Sequence, residues 1–322
     1  MSIEKIITSI KSNNNFVITA HTNPEGDALG SELAFQRLLN KLGKRSIIVN
    51  DDRLPYGYDF MPGAGRIKRF NPGLVRLKFD CLGVLDCSDL SRSGKVSRLA
   101  SAARAVINID HHVSNSRFAD VNWVDPDASS CSELVYRLYK KMRVPFDKAS
   151  ALALYVGILT DTGSFRYANT TSLTHGIVSE LLRYNINAHA IYKKIYADIP
   201  YPDIRLLAKV LPQIKRDASG RVAWFELKKS ILRRGEISFD LSEHLLSFAR
   251  SIKDIEVAVL FKENLKAENE IRVNFRSQGK INVNKIAAFF GGGGHRAASG
   301  ATISGSLLTV SRKVLRKIAE SF

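Results

Sequence analysis

Short apolar runs alternate with helix-like patterns through the first half of the chain. Each run has four or five residues with many β-branched side chains, which is typical of buried parallel strands. The runs are Phe16–Ala20, Ser46–Val49, Leu82–Leu85 and Ala105–Ile109. Between them, apolar side chains recur at helical spacing in Leu29–Leu42 and Ser93–Ala103. This alternation predicts an α/β layer built on a parallel sheet.

The remainder of the chain predicts further helices and then a second, smaller domain. Candidate helices cover about 130–143, 147–160 and 172–185. Three prolines interrupt residues 188–213, which predict a helical linker. Strand-like segments and one helix follow it, at Arg221–Leu227, Ile255–Phe261, Ile271–Phe275 and about 282–290. We therefore expect a parallel-sheet domain with flanking helices over 1–187, the linker over 188–213, and an α+β domain over 214–322.

Composition narrows the class of protein. A chain of 322 residues with 45% hydrophobic and 25% charged side chains is typical of about two globular domains and excludes collagen-like and disordered chains. The longest apolar stretch, Ala149–Leu159, is too short to cross a bilayer, and the N-terminus lacks a signal-peptide core. Three cysteines without a C-x-x-C pair argue against a disulfide framework. We expect a cytoplasmic protein that does not bind membranes.

Charge points to an anionic partner. The chain has 48 Lys and Arg against 31 Asp and Glu, which gives a net charge of +17. Residues 201–322 hold 22 basic and 12 acidic side chains and so carry +10 of that charge. Nucleic acid, nucleotides and acidic lipid surfaces would all be attracted by such a field.

Acidic residues and histidines follow three of the predicted strands and one apolar helix. In chain order they are His21, Glu25, Asp27, Asp86, Asp110, His111, His112 and Asp161. Because the carboxyl ends of parallel strands meet at one edge of a sheet, we expect these side chains to lie together.

These side chains are typical metal ligands. Imidazoles and carboxylates without a thiolate favour manganese, magnesium or iron over structural zinc. Two imidazoles and four carboxylates from this set are too many ligands for one ion with open positions, whereas two ions about 3.5–4 Å apart would use all six. A pair of ions suits in-line attack on phosphorus, with a metal-bound hydroxide as the expected nucleophile.

The motifs together resemble a known family. His21-Thr-Asn-Pro-Glu25-Gly-Asp27, Leu85-Asp86, Asp110-His111-His112 and Thr160-Asp161-Thr162-Gly163 resemble the four ordered motifs of the DHH phosphoesterases. Phe275-Arg276-Ser277 and Gly291–Gly294 followed by His295 resemble the DHH-associated substrate-binding domain. The pairing is most similar to the bifunctional oligoribonucleases and 3′-phosphoadenosine-5′-phosphate (PAP) phosphatases.

The resemblance implies a role for each matching residue of the first domain. One ion would be held by His21, Glu25 and Asp86, and the other by Asp27, Asp86, His111 and Asp161, with Asp86 bridging. His112 would face the phosphate and assist the leaving group, and we count it with Asp86 and Asp110 as catalytic. Glu25 departs from the family, which usually has Asp there, so that ion would be shifted or held less firmly. Manganese is the expected ion, with magnesium or cobalt as alternatives.

The C-terminal motif would bind the nucleotide end of the substrate. The residues expected to do so are Arg276, Gly292, Gly293, Gly294 and His295, because glycines let backbone N–H groups approach a phosphate and Arg grips it bidentately. The expected substrates are short oligoribonucleotides and phosphorylated nucleotides such as PAP.

Other functions stay open at this point. A cyclic-dinucleotide phosphodiesterase and a manganese-dependent inorganic pyrophosphatase share the metal motifs, although the pyrophosphatases usually lack the glycine-histidine element. A noncatalytic RNA-binding protein would use only the basic C-terminal domain. A homodimer is also open.

Overall fold

The computed structural model describes residues 2–232, 241–265, 267–294 and 296–322. The chain divides into two compact units, residues 1–197 and 198–322. The boundary lies inside the segment 188–213, which is largely helical.

The first unit is an α/β layer. Its helices and strands are α1 (Ser2–Ser12), β1 (Asn15–Thr19), α2 (Gly26–Lys41), β2 (Arg45–Asn50), β3 (Lys68–Arg69), β4 (Cys81–Leu85), β5 (Ala105–Asp110), β6 (Val121–Val124), α3 (Cys131–Met142), α4 (Lys148–Asp161), α5 (Ser172–Leu182) and α6 (Ala188–Tyr192). Segments of 3₁₀ helix cover Ala64–Arg66, Pro72–Arg76 and Leu90–Ala102, and a π-helical turn covers Lys193–Ala197.

The first sheet is parallel throughout the described residues, with the strand order β3-β2-β1-β4-β5-β6. The register places Ile18 of β1 beside Ile48 of β2 and Gly83 of β4. The order reverses between β1 and β4, as in doubly wound folds. The predicted α/β class and parallel sheet are therefore confirmed.

One predicted helix of the first unit is wrong in type. The pattern over 93–103 predicts an α-helix, but the structure has 3₁₀ helix over Leu90–Ala102. Gly94 interrupts the segment with a φ of 62° and a ψ of −134°, which no regular helix contains. A side chain at that position would collide with the carboxylate of Asp51, so the kink also depends on glycine.

Helices α2 and α4 pack very closely in the region of Asp27. A Cβ atom on Gly30 would lie 2.4 Å from the carbonyl oxygen of Ala153. A Cβ atom on Gly157 would lie 1.9 Å from Oγ of Ser132 and 2.7 Å from Oδ1 of Asp27. Glycine at 157 therefore makes room for the Asp27 carboxylate and the start of α3.

The second unit is α+β. Its helices and strands are α7 (Tyr201–Val210), β7 (Lys215–Arg216), β8 (Val222–Leu227), α8 (Lys229–Leu232), α9 (Leu241–Ser251), β9 (Val257–Glu263), β10 (Glu270–Ser277), α10 (Val283–Phe289), β11 (Gly293–Gly294), β12 (Ala298–Ser304) and α11 (Leu307–Ala319), with a 3₁₀ turn over Leu211–Gln213.

The second sheet is mixed, with the order β11-β12-β10-β9-β8-β7 and one parallel pair, β8 with β9. Side chains alternate along β10, as expected for a strand between two layers. Val273 and Phe275 face a core that includes Val283 of α10 and Val314 of α11. The other face of the sheet packs against α9, whose Leu245 is fully buried.

No helix among the described residues has both the length and the apolar character that crossing a membrane requires.

Gly157→Ala should destabilise the first unit by about 1–3 kcal/mol, because the added methyl group has no room beside Ser132 and Asp27. The measurement is the midpoint of urea unfolding, monitored with a spectroscopic probe in the first unit. Gly176→Ala on α5 is the matched control, since nothing lies within 4 Å of its Cβ position. That control should gain about 0.5–1 kcal/mol from helix propensity. Equal stability of the two variants would contradict the packing argument.

Candidate active site

The predicted catalytic residues lie at the carboxyl edge of the parallel sheet, where the strand order reverses. His21 lies two residues after β1, and Asp86 directly follows β4. Asp110 ends β5, and His111 and His112 come next. In doubly wound sheets, ligands bind outside the strand ends at this reversal.

His111 lies among three carboxylates. Its Nε2 atom is 3.6 Å from Oδ1 of Asp86, 3.6 Å from Oδ2 of Asp161 and 3.8 Å from Oδ2 of Asp27. Asp27, His111 and Asp161 each offer a ligand atom within one group spanning 4.8 Å, and Asp86, His111 and His112 form a second such group. Four segments that are far apart in the sequence, which carry Asp27, Asp86, His111 with His112, and Asp161, therefore meet at one point.

His21 and Glu25 lie differently. Nε2 of His21 is 3.5 Å from Oδ2 of Asp86, and its Nδ1 is 2.8 Å from the carbonyl oxygen of Thr22. Glu25 is exposed and is the N-cap residue of α2. In the part of the chain that the structure describes, neither belongs to a three-residue ligand group.

Backbone amides orient Asp27. Its Oδ2 accepts a hydrogen bond from the amide of Cys131 at 2.6 Å, and its Oδ1 accepts one from the amide of Ser132 at 2.9 Å. Both amides belong to the first turn of α3, where N–H groups lack partners within the helix and the helix dipole favours an anion. The carboxylate therefore fixes α2 against the start of α3.

A hydrogen-bonded chain leads to His112. Oδ1 of Asp110 lies 2.7 Å from Nδ1 of His112, and Asn115 donates to the other Asp110 oxygen at 2.6 Å. Burial opposes ionisation of Asp110, but the charge of His112 and its hydrogen bond hold the pKa of Asp110 below its usual range. Because an ionised carboxylate only accepts, Nδ1 of His112 carries the proton in this pair.

Asn115 and Asn169 are residues of the site that sequence reasoning missed. Asn169 donates to the carbonyl oxygens of Ser129 at 2.9 Å and Asp161 at 3.2 Å, so it ties the end of α4 to the loop before α3. Both asparagines lie in loops without periodicity, and nothing in the local sequence distinguishes them from ordinary turn residues.

The acidic groups of the site have strongly shifted pKa values. Burial raises the pKa of Asp27 to about 6, and the charge of Asp86 adds to this effect. Desolvation also raises the pKa of Asp161 well above its usual range, with repulsion from Asp27 and Asp86. Asp86 is the exception, since His111 and His21 outweigh its burial and hold its pKa well below the usual range.

The two histidines beside these carboxylates shift in the opposite sense. Burial lowers the pKa of His111, but Asp161 and Asp86 outweigh it, so the pKa is well above its usual value. Burial also lowers the pKa of His21, but the hydrogen bond and charge of Asp86 outweigh it, so the pKa of His21 is raised. The crowded carboxylates thus favour the protonated form of both histidines.

Asp86 shows two features of a ligand. Its Oδ1 atom is buried and has no hydrogen-bond partner among the described residues. Its backbone has a φ of 50°, and the left-handed region costs a residue other than glycine about 1–3 kcal/mol. A buried, unpaired carboxylate oxygen among further carboxylates and imidazoles fits a divalent cation of hard or borderline character.

In the second unit, Arg276 is already engaged. Its Nη2 donates to Oε2 of Glu243 on α9 at 2.7 Å, and its Nη1 donates to the carbonyl oxygen of Phe275 at 3.1 Å. Glu243 therefore fixes the orientation of this guanidinium group, a contact between distant residues that no sequence pattern indicates.

The glycine run has a packing explanation at two positions. A Cβ atom on Gly292 or Gly294 would lie 2.1 or 2.6 Å from carbonyl oxygens of β12, and Gly294 has a φ of 139°. Gly293 has open space at its Cβ position. His295, which the sequence places in the same site, lies outside the described residues.

Comparison with known proteins gives two family matches. The model of the DHH family, N-terminal domain, matches residues 15–158, and the model of the DHHA1 domain matches residues 230–321.

Full-length relatives span both units. Over 292 residues the chain is 31% identical to the bifunctional oligoribonuclease and PAP phosphatase NrnA of Thermus thermophilus. The matched region covers 89% of this chain and 84% of that protein. Over 315 residues it is 28% identical to the probable bifunctional oligoribonuclease and PAP phosphatase NrnA of Streptococcus mutans, with 93% of each chain covered.

A solved structure has the same fold. The crystal structure of an exopolyphosphatase-related protein from Bacteroides fragilis superposes with a TM-score of 0.86 at 30% identity, covering 98% of this chain and 95% of the other.

Affinity for Mn²⁺ should fall as the pH drops, first above pH 6.5, where His111 and His21 take up protons, and further below about 6, where Asp27 does so as well. Ligands must lose their protons to bind a cation, and the pKa of Asp27 is raised to about 6 while those of His21 and His111 are raised as well. Each displaced proton should weaken binding about tenfold per pH unit below its pKa. Calorimetric titration with Mn²⁺ from pH 5 to pH 8, in two buffers of different ionisation enthalpy, measures affinity and proton release together.

Asp27→Asn is the comparison variant for that titration. It should bind Mn²⁺ more weakly at pH 8 and lose the change in proton release near pH 6. A wild-type affinity that is constant from pH 5 to pH 8 would argue against a cation at this cluster.

Proposed function

This chain belongs to the DHH family of phosphoesterases, and from that premise we propose that it hydrolyses short oligoribonucleotides and also converts PAP to AMP and phosphate. The observation that carries the proposal is the convergence of Asp27, Asp86 and Asp161 on His111, at 3.6–3.8 Å, at the point where the strand order reverses. The relatives from Thermus thermophilus and Streptococcus mutans, named for these two activities, support the choice of substrates.

The ligand set favours two divalent cations, with Mn²⁺ as the first choice. Asp27, Asp86, His111 and Asp161 would hold one, and His21, Glu25 and Asp86 the other. When bound, the cations would activate a water molecule and neutralise charge on the phosphoryl oxygens. Asp27 is held in place for this role by the amides of α3.

His112 is proposed to handle the leaving group. Asp110 fixes the ring through Nδ1, and Nε2 is the atom proposed to serve the departing oxygen. Asn115 in turn fixes Asp110. A histidine oriented in this way can hold a proton at a defined atom, as general acid catalysis requires.

In the second unit, Arg276 and Gly293 are proposed to bind the nucleotide end of the substrate. Arg276 lies on β10 opposite Ala298 of β12, and Gly293 pairs with Gly300 of the same strand. A guanidinium group and the backbone amides of a glycine are both groups that bind phosphate, which would suit the nucleotide end. Gly292, Gly294 and His295 stay predictions for the same site.

The cytoplasm is the compartment that we propose, supported by three cysteines that are all free and buried. A homodimer stays a prediction.

Asp86→Asn should lower kcat for PAP at least about 10³-fold, because Asp86 faces both His21 and His111 and several kcal/mol of transition-state stabilisation depend on it. Phosphate release from PAP with Mn²⁺ measures the effect. Asp127→Asn, which changes an exposed carboxylate in the loop before α3, is the control and should keep wild-type activity.

A substrate panel tests the proposal itself. Purified protein with Mn²⁺ is given PAP, a linear diribonucleotide, cyclic di-AMP and pyrophosphate, and end-labelled RNAs of increasing length are read as product ladders. Hydrolysis of PAP and the diribonucleotide is expected. Turnover confined to cyclic di-AMP or pyrophosphate would replace the proposed substrates, and RNA binding without hydrolysis of any substrate would refute an enzymatic function.

Arg276→Ala should raise KM for PAP and for a diribonucleotide about tenfold or more, since a charged hydrogen bond contributes about 1.5–3 kcal/mol. KM for a chromogenic phosphoester without a nucleoside should change little, and kcat should hold for both. Glu243→Gln serves as the comparison, because it loosens the guanidinium group without removing it. An equal loss on all substrates would count against a role in nucleotide binding.

A further inference from the structure

A basic cleft with an exposed aromatic ring lies in the second unit, between the end of α10 and α11. Its volume is about 390 Å³, within the range of small-ligand pockets. We call it the α11 cleft, and its lining includes Phe289, Arg312, Lys313, Arg316, Lys317 and Glu320. Its lining contains neither Arg276 nor a residue of the proposed catalytic cluster.

Positive charge is concentrated on one face of α11. The four cations occupy positions one and four residues apart, so Arg312 lies one turn from Arg316 and Lys313 one turn from Lys317. Glu320 is the carboxylate in the lining, and it pairs with Lys317 at 2.9 Å. Like charges one turn apart weaken a helix by about 0.2–0.5 kcal/mol per pair. Arg316 and Lys317 lie in the last turn of α11, where the helix dipole favours cations.

Phe289 provides an aromatic surface beside these cations. The residue is 66% exposed, so its ring is accessible from solvent. The ring packs edge-on against Phe290 with centroids 5.0 Å apart, and Nζ of Lys317 lies 4.5 Å from its centroid. Phe290 packs against the core of the unit, so Phe289 is held in a fixed position.

The combination favours single-stranded nucleic acid over other anions. Proteins that bind single strands place cations along the backbone and an aromatic ring under a base. An anion without a base would meet only the cations of this face, whereas a nucleotide also offers a ring that can stack on Phe289. The cleft is also close in sequence to the proposed substrate site, since Phe289 precedes Gly291 by two residues.

We propose that the α11 cleft binds one nucleotide of a single-stranded RNA, with its base stacked on Phe289 and its flanking phosphates on Arg312 and Arg316. This inference rests on the proposed function, because it assigns the cleft to RNA longer than the unit being hydrolysed. PAP, a mononucleotide, would not need the cleft. The cleft would thus set which lengths of RNA the protein prefers, and it would take no part in the hydrolysis itself.

The test measures binding of fluorescently labelled RNAs of two and ten nucleotides by anisotropy, without divalent cations so that no hydrolysis occurs. Phe289→Ala should weaken binding of the ten-nucleotide RNA about tenfold, which is typical for loss of one stacked base. Arg312→Gln with Arg316→Gln should lower the slope of log Kd against log salt by about 1.4, since each lost phosphate contact on a single strand removes about 0.7. Hydrolysis of PAP should stay at the wild-type rate in both.

Lys5→Gln with Lys11→Gln is the matched control, because it removes two exposed charges from α1 in the other unit. This control should leave both the affinity and the salt slope as in wild type. An equal change in the control would overturn the cleft as a specific site, and so would wild-type RNA binding by both cleft variants. Loss of PAP hydrolysis in the cleft variants would overturn a separate role for the cleft.

Two further outcomes distinguish the proposals. If the wild-type protein hydrolyses neither PAP nor RNA but the cleft variants still weaken RNA binding, the proposed function fails and the cleft stands as an RNA site. If the cleft variants lose binding to vesicles containing anionic phospholipid while binding of the ten-nucleotide RNA is unchanged, the cleft recognises a lipid surface and the RNA assignment is overturned.

Discussion

Crowding of negative charge in a desolvated pocket is the constraint on which the first unit depends. Asp27, Asp86 and Asp161 all approach His111, and several devices make that approach tolerable. The first turn of α3 donates two amides to Asp27, and Gly157 leaves space beside that carboxylate. The parallel sheet delivers the remaining groups, because adjacent strands end at the same edge. The fold therefore holds close together carboxylates that repel one another and that would stay apart and hydrated in an unordered chain.

Local pattern was sufficient to predict most of this architecture. The strand runs, the three helices after residue 129 and the α+β character of the second unit all appear at nearly the predicted positions. Residues directly after strands could be placed at one edge, since parallel topology fixes where strand ends lie. The 3₁₀ segment over Leu90–Ala102 was missed because a positive φ at Gly94 overrides the apolar spacing around it.

Contacts between distant residues could not be predicted. The bonds from α3 to Asp27 join residues 104 and 105 positions apart, and the pairing of Glu243 with Arg276 spans 33. Neither has a period or a motif, because each depends on how whole elements pack. The glycine run shows a related limit. A single sequence cannot separate glycines that permit close packing, as at Gly292 and Gly294, from one with open space at its Cβ position, as at Gly293.

The two hydrogen bonds from the first turn of α3 to Asp27 also restrict the loop between β6 and α3. Surface loops usually tolerate insertions and deletions, because their length does not alter the elements that they connect. Here the loop from Val124 to Cys131 must place the amides of Cys131 and Ser132 within hydrogen-bond distance of Asp27. A change in loop length that displaced the first turn of α3 would break both bonds, so the length of this loop is a constraint on the site.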